Sequence, residues 1–183
     1  MNKIQTLQHS LIVAALFALP MAQAATMAKP DYTAAKSSIG AEFKTAKAAC
    51  GSLSANAKDI CIAEAKAKEK VARAELEYGY TGKAKDQNKV VVVKAESAYA
   101  VAKEKCDDMK GNDKDVCVKQ AKAVETKALA DAKMGKQIGE AKTDAAQDKR
   151  DADYKVAAEK CDAMSGEPKA ACMTAAKAKF GKS

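Results

Sequence analysis

The sequence predicts an all-α protein made of repeated antiparallel helical hairpins, with a disulfide closing each turn. Three observations lead to this prediction: a repeat of cysteine pairs, a helical spacing of apolar residues, and an export signal ahead of both. Each cysteine pair encloses ten residues, and the pairs recur about every 55 positions: Cys50 with Cys61, Cys106 with Cys117, and Cys161 with Cys172. Such internal repetition is typical of an array of equivalent structural units.

Residues 1–24 have the features of a signal peptide. Lys3 supplies the positive charge, Leu11–Leu19 form an apolar run of nine residues, and Ala22-Gln23-Ala24 form a cleavage site. The apolar run is much shorter than the roughly 20 residues that a transmembrane helix needs. We therefore expect cleavage after Ala24, a periplasmic location without a membrane anchor, and one repetitive helical domain over residues 25–183.

Apolar residues recur at steps of three and four before and after the first cysteine, which is the spacing of one helix face. They are Tyr32, Ala35, Ile39, Phe43, Ala46 and Cys50 on one side, and Ile60, Ala63, Ala67, Val71, Ala74 and Tyr78 on the other. Alanine fills many of these positions, and burying it removes little apolar area from water, at about 25 cal/mol per Å². We therefore expect thin helical layers rather than a thick core.

The predicted helices span about 31–50, 58–106, 114–161 and 168–180. Glycines weaken two of them at equivalent places, near residues 79–82 and 135–139, because glycine in a helix costs about 1 kcal/mol relative to alanine. The run Val90–Val93 has strand propensity, but its lysine flanks favour a helix with a weak spot. Straight joints would give an elongated, coiled-coil-like array, and folded joints would give a six-segment bundle.

Helix-breaking residues inside each cysteine pair favour disulfides over metal sites. The breakers are Gly51-Ser52, Gly111-Asn112-Asp113 and Ser165-Gly166-Glu167-Pro168. In an unbroken helix the paired cysteines would lie about 16 Å apart, out of bonding reach. Zinc sites use closer cysteine pairs or histidine, and the only histidine, His9, lies in the predicted signal peptide. Each bridge is expected to contribute about 3 kcal/mol.

An aromatic residue stands seven positions before the first cysteine of each repeat: Phe43, Tyr99 and Tyr154. An antiparallel hairpin places it opposite a residue seven or eight positions after the second cysteine. The predicted neighbours are Lys68 and Glu69 for Phe43, Val124 for Tyr99, and Phe180 for Tyr154.

We expect no enzymatic activity, cofactor or metal. Without histidine in the exported chain, Ser-His and Cys-His nucleophile systems are excluded, and the paired glycines lack the Lys-Ser/Thr of a phosphate loop. The one candidate surface contact is an aromatic patch at Tyr78 and Tyr80. The alternative interpretation of that patch is a frayed joint between two helices.

The formal net charge is +8, but lysines alternate with acidic residues. This interleaving and the export signal disfavour nucleic-acid binding. A lysine-rich helix surface is suited to anionic lipid headgroups or an acidic envelope polymer.

The segments Ala63–Lys70 and Ala121–Ala123 resemble the Ala/Lys/Glu helical stalk of TolA, an envelope-spanning protein of Gram-negative bacteria. The resemblance is compositional; it implies a TolA-like helical envelope protein and assigns no functional residue. The predicted function is a structural or stress-related role in the cell envelope, with envelope proteins as candidate partners. The alternatives are a holdase-type periplasmic chaperone and a binder of anionic envelope surfaces.

Overall fold

The computed structural model describes residues 27–182 and contains five α-helices and no strand in that range. The helices are α1 (Lys29–Ala49), α2 (Ala55–Thr81), α3 (Ala84–Cys106), α4 (Gly111–Asp162) and α5 (Gly166–Phe180), and one 3-10 turn (Cys50–Ser52) follows α1. This confirms the predicted all-α fold of disulfide-stapled hairpins. The predicted signal peptide lies outside the described residues.

Each helix packs on its neighbours in sequence. Within residues 27–182, α1 contacts α2, α2 contacts α3, α3 contacts α4, and α4 contacts α5, with no contact between helices further apart in the chain. The result is a serpentine layer of helices one helix thick. A layer of this kind buries only narrow faces, as the alanine-rich composition predicts.

The core of the described chain consists mainly of cysteine and small side chains, with Leu76 as its one large aliphatic residue. Cys50, Cys106 and Cys161 are fully or almost fully buried, and the other buried apolar residues are Ala65, Ala74, Leu76, Ala95, Ala132 and Ala176. Burying an alanine removes far less area from water than burying a leucine does. The bridges therefore supply a large share of the packing at the hairpin turns.

The two glycine joints have different structures. At the first joint, Gly82 has a φ of 61°, its N–H donates to the Tyr78 carbonyl at 2.8 Å, and the chain reverses between α2 and α3. At the second joint, α4 runs without interruption through Gly135 and Gly139. The predicted helix at 58–106 is therefore two helices, whereas the predicted helix at 114–161 is one, and Val90–Val93 lies inside α3.

Helix α4 extends well beyond the rest of the layer. It has 52 residues, or about 78 Å at 1.5 Å per residue, against 23 residues in α3 and 15 in α5. Its first part packs on α3 and its last part on α5. Between them, residues 133–150 are all exposed.

Candidate functional site

The three predicted disulfides are present and staple the three hairpin turns. The Cα atoms of the paired cysteines lie 5.7 Å apart in the first bridge and 5.6 Å apart in the other two. No cysteine among the described residues is free. Bridges of the same spacing at all three turns make the turns structurally equivalent.

Each stapled turn displays one large apolar side chain. The N–H of Leu53 donates to the Cys50 carbonyl at 3.1 Å, and Met109 and Met164 make the same bond to the first cysteine of their own turns, both at 3.0 Å. Their exposed fractions are 42%, 45% and 47%. The repeat therefore places an accessible leucine or methionine on a rigid backbone at every turn.

An ion pair closes the second and third turns. Lys114 lies 2.8 Å from Asp107, and Lys169 lies 3.0 Å from Asp162. The hydrogen bond to Asp107 raises the pKa of the Lys114 ammonium group. Gly51 stands where the other two turns have aspartate, so the first turn cannot form this pair.

The first two turns lie side by side at one end of the layer. The Asn56 side-chain amide, beside the first turn, donates to the Glu104 carbonyl near the second at 2.9 Å. Lys105 and Glu64 form an ion pair at 2.8 Å across α3 and α2. The third turn follows the far end of α4, so the chain presents stapled turns at two separate places.

The predicted pair of Tyr154 and Phe180 is confirmed in the third hairpin. The ring centroids are 6.4 Å apart in an edge-to-face arrangement, a favourable geometry for aromatic pairs. Lys182 closes the same region by donating to Asp151 at 2.6 Å. This hydrogen bond lowers the pKa of the Asp151 carboxyl below its usual value.

In the second hairpin the predicted partner of Tyr99, Val124, is wrong. Val124 keeps 66% of its surface exposed, and the Lys122 ammonium lies 4.9 Å from the centre of the Tyr99 ring. Lys122 also donates to the buried Glu125 carboxylate at 2.6 Å. Val124 turns away because it lies about 100° around the helix from Glu125, which faces α3.

In the first hairpin Phe43 lines a small cleft together with Lys68 and Glu69, as predicted. Glu69 is engaged by Arg73 in an ion pair at 2.8 Å. The three hairpins therefore share their staples but differ in how the repeated aromatic residue packs.

The candidate aromatic patch lies at the end of α2. Both tyrosines are half-buried. The ring centroids of Tyr80 and of Tyr32 in α1 lie 4.4 Å apart. The Tyr32 hydroxyl donates to the Glu77 carboxylate at 2.7 Å, and this hydrogen bond raises the pKa of the Tyr32 phenol. Tyr80 thus helps to hold α1 on α2. A role of Tyr78 and Tyr80 in partner binding remains a prediction.

An open cleft of about 820 Å³ lies where the start of α3 meets the middle of α4, and sequence reasoning missed it. Val91 lines it from α3, and Ala132, Gly135 and Gly139 line it from α4. The cleft exists because one joint reverses while the other stays straight. Glycine pairs at both joints give no signal of that difference.

Comparison with known proteins adds no further indication of function. We found no family model, curated protein or solved structure that matches this chain. Over residues 27–182, no helix is both long and apolar enough to cross a membrane. The same residues contain no cluster of three or more side chains able to hold a metal ion.

Proposed function

We propose that this chain is an exported, non-enzymatic structural protein of the bacterial cell envelope, in which α4 acts as a rigid spacer between two stapled ends. The observation that carries the proposal is the continuity of α4 over 52 residues. A continuous helix holds its ends at a fixed separation, which a flexible linker cannot do.

The stapled turns support this proposal because they supply rigid contact points at both ends of the spacer. Leu53 and Met109 lie on neighbouring turns at one end, and Met164 lies on the turn at the other. All three are accessible to a partner. Disulfides persist in oxidising compartments such as the periplasm, which agrees with the predicted export signal.

The proposal is tested by breaking α4 while leaving both ends intact. Thr143 is exposed in the middle of α4, and its hydroxyl bonds only to the Gly139 carbonyl. Proline at this position costs about 3 kcal/mol of helix stability and kinks the helix, whereas alanine is a good helix former. Thr143→Ala is therefore the matched control for Thr143→Pro.

Both variants are expressed in a host strain that lacks the native gene, and envelope integrity is measured as resistance to detergent and to chelator. We expect wild type and Thr143→Ala to restore resistance and Thr143→Pro to fail, at equal protein level and disulfide content. Full restoration by Thr143→Pro would contradict the spacer proposal. In the same strain, the amino-terminal residue of the purified protein should be Ala25 if the predicted signal is cleaved.

A holdase is the second candidate, and the exposed apolar residues at the turns favour it. Methionine side chains are adaptable and common on surfaces that bind varied partners. If the turns capture unfolded clients, replacing Leu53, Met109 and Met164 together by serine should abolish suppression of client aggregation. Equal suppression by this variant and by wild type would remove the turns as the client site.

A further inference from the structure

The outer face of α4 carries an apolar stripe along nearly its whole length. The large apolar residues of α4 that are more than 40% exposed are Val116, Val124, Met134, Ile138 and Val156. At about 100° per residue, Val116 and Met134 point the same way, because 18 residues make five full turns. Ile138 and Val156 share a direction only about 40° from the first. Four of the five thus lie on one narrow face.

This face points away from the rest of the chain. The buried residues of α4 are Glu125, Ala132 and Cys161, and Met134 lies about 200° around the helix from Ala132. Within residues 27–182, α4 contacts only α3 and α5. The apolar stripe is therefore left uncovered by this chain.

We propose that the stripe binds the same stripe of a second copy, in an antiparallel arrangement with its two-fold axis near residue 136. Val116 and Val156 lie 20 positions on either side of that residue, and Met134 and Ile138 lie two positions on either side. A two-fold axis there places Val116 opposite Val156 of the second copy and Met134 opposite its Ile138. Such self-complementarity is what an isologous dimer interface requires.

Alanine occupies much of the stripe between the large residues: Ala123, Ala130, Ala141, Ala145 and Ala152. Small side chains allow two helix axes to approach closely along the contact. From Val116 to Val156 the stripe covers about 60 Å.

Charges on and beside the stripe also match in this arrangement. Lys127 lies on the stripe itself, about 20° from Met134, and would stand opposite Ala145 of the second copy, between its Asp144 and Asp148. Asp131 would stand opposite Ala141 of the second copy, next to its Lys142. These five charged residues form no salt bridge within the described chain, and all are exposed.

A parallel arrangement in register would oppose like charges, because Lys127 would meet Lys127 and Asp131 would meet Asp131. Like charges at such positions are destabilising. The charge pattern therefore favours the antiparallel pairing. Since both signs of charge flank the stripe, it is better matched to another copy than to a uniformly anionic surface.

The first test is sedimentation velocity of the oxidised full chain over a range of concentrations. We expect a reversible dimer, and we expect the double variant Met134→Lys/Ile138→Lys to raise the dimer Kd by at least about tenfold. The matched control is Val91→Lys/Met109→Lys, which changes two apolar residues of similar exposure outside α4 and should leave Kd unchanged. Equal helicity by circular dichroism shows that each variant is folded.

A charge swap keeps the proposal testable if the apolar variant misfolds. Lys127→Glu alone should weaken the dimer, and adding Asp144→Lys and Asp148→Lys in the same chain should restore it. A photo-crosslinking residue at position 156 should then attach to the peptide around Val116 of the second copy. That result would establish the antiparallel register.

Several results would overturn the proposal. They are a chain that stays monomeric up to about 0.5 mM, equal dimer Kd values in the stripe and control variants, no restoration by the charge swap, or crosslinks from position 156 to position 156. Binding of vesicles or unfolded clients by the stripe of a monomeric chain would also overturn it, because the occupant would then be a different one. Since the spacer proposal depends on the continuity of α4 within one chain, it does not stand or fall with the dimer.

Discussion

The two glycine joints occupy equivalent places in the repeat, yet one is a tight reversal and the other is straight helix. At the first joint Gly82 adopts a left-handed conformation, and the Thr81 hydroxyl donates to Asp86 at the start of α3. At the second joint, in the repeat alignment, Ile138 stands where Gly82 stands in the first. A β-branched residue such as isoleucine cannot adopt that conformation without strain.

The segments that follow the joints also differ. After the first joint come four valines, Val90–Val93, on the helix that packs against α2. At the aligned positions past the second joint stand Ala146-Gln147-Asp148-Lys149, which are all exposed. A reversal there would bring together surfaces with little apolar area to bury. The comparison shows that a helix reverses only where the turn and the packing surface both favour it.

The largest effect should come from removing the disulfide of the α3–α4 turn. The α2–α3 reversal, by contrast, has no disulfide. Replacing Cys106 and Cys117 together by serine should lower the free energy of unfolding by about 3 kcal/mol in oxidised protein. Thermal unfolding followed by circular dichroism measures it. Once every bridge is reduced, the same substitution should have little effect. Equal losses in both conditions would mean that helix packing, rather than the bridge, holds this turn.

Alanine substitutions should have opposite signs at the two joints. Gly82→Ala should destabilise the chain by about 1–2 kcal/mol, because alanine at a φ of 61° is strained. Gly135→Ala and Gly139→Ala should each stabilise it by up to about 1 kcal/mol, because both lie in a helix with open space around the position. Denaturant unfolding of the three single variants measures these changes. Destabilisation by all three would contradict the straight second joint.

The aromatic pair of the third hairpin should have a local effect. Tyr154→Ala should cost about 1–2 kcal/mol, less than the 3–5 kcal/mol typical of a full core, because Tyr154 and Phe180 are only half-buried. Amide exchange in residues 172–180 should become faster while that of the first hairpin does not change. The matched control is Phe43→Ala, which should affect the first hairpin alone. Unchanged exchange in residues 172–180 would show that the aromatic pair does not hold α5.

The smallest effect should be a pH dependence of stability that is confined to the third hairpin. Lys182 holds the folded-state pKa of Asp151 below its usual value of 3.8. A lowered pKa means that the stabilisation is present above about pH 3.8 and is lost as the pH falls through the folded-state value. Relative to the intrinsic rate at each pH, which itself slows in acid, amide exchange at 172–180 should therefore accelerate as the pH falls, and Asp151→Asn should remove most of that acid-dependent change. The effect is small because both side chains remain partly exposed to solvent, which screens the pair.

The parts of the fold that could be predicted from sequence depend on local chemistry. Cysteine spacing and the breakers inside each pair predict the three stapled turns, because an unbroken helix would separate each pair. The contact of Tyr154 with Phe180 follows from hairpin register. The partner of Tyr99 could not be predicted by counting residues alone, since one position along a helix changes the direction of a side chain by about 100°.

The second joint and the features that depend on it could not be predicted in the same way. Glycine at 79, 82, 135 and 139 indicates weak helix at both joints and does not distinguish them. The difference comes from long-range packing, which the valines of α3 provide and the polar residues after Gly139 do not. The cleft beside Val91 and the exposed stripe of α4 both follow from that outcome.

The most direct test of the spacer is the distance between Lys119 and Lys155, two exposed residues of α4 on either side of the second joint. Spin labels on non-natural amino acids at these positions leave the six cysteines untouched, and dilution with unlabelled chain removes distances between copies. A straight helix places the two backbones about 54 Å apart, because 36 residues rise 1.5 Å each. We predict a single distance distribution near that value. A main population at about 10–20 Å, as expected for two packed antiparallel helices folded at the joint, would contradict a continuous α4.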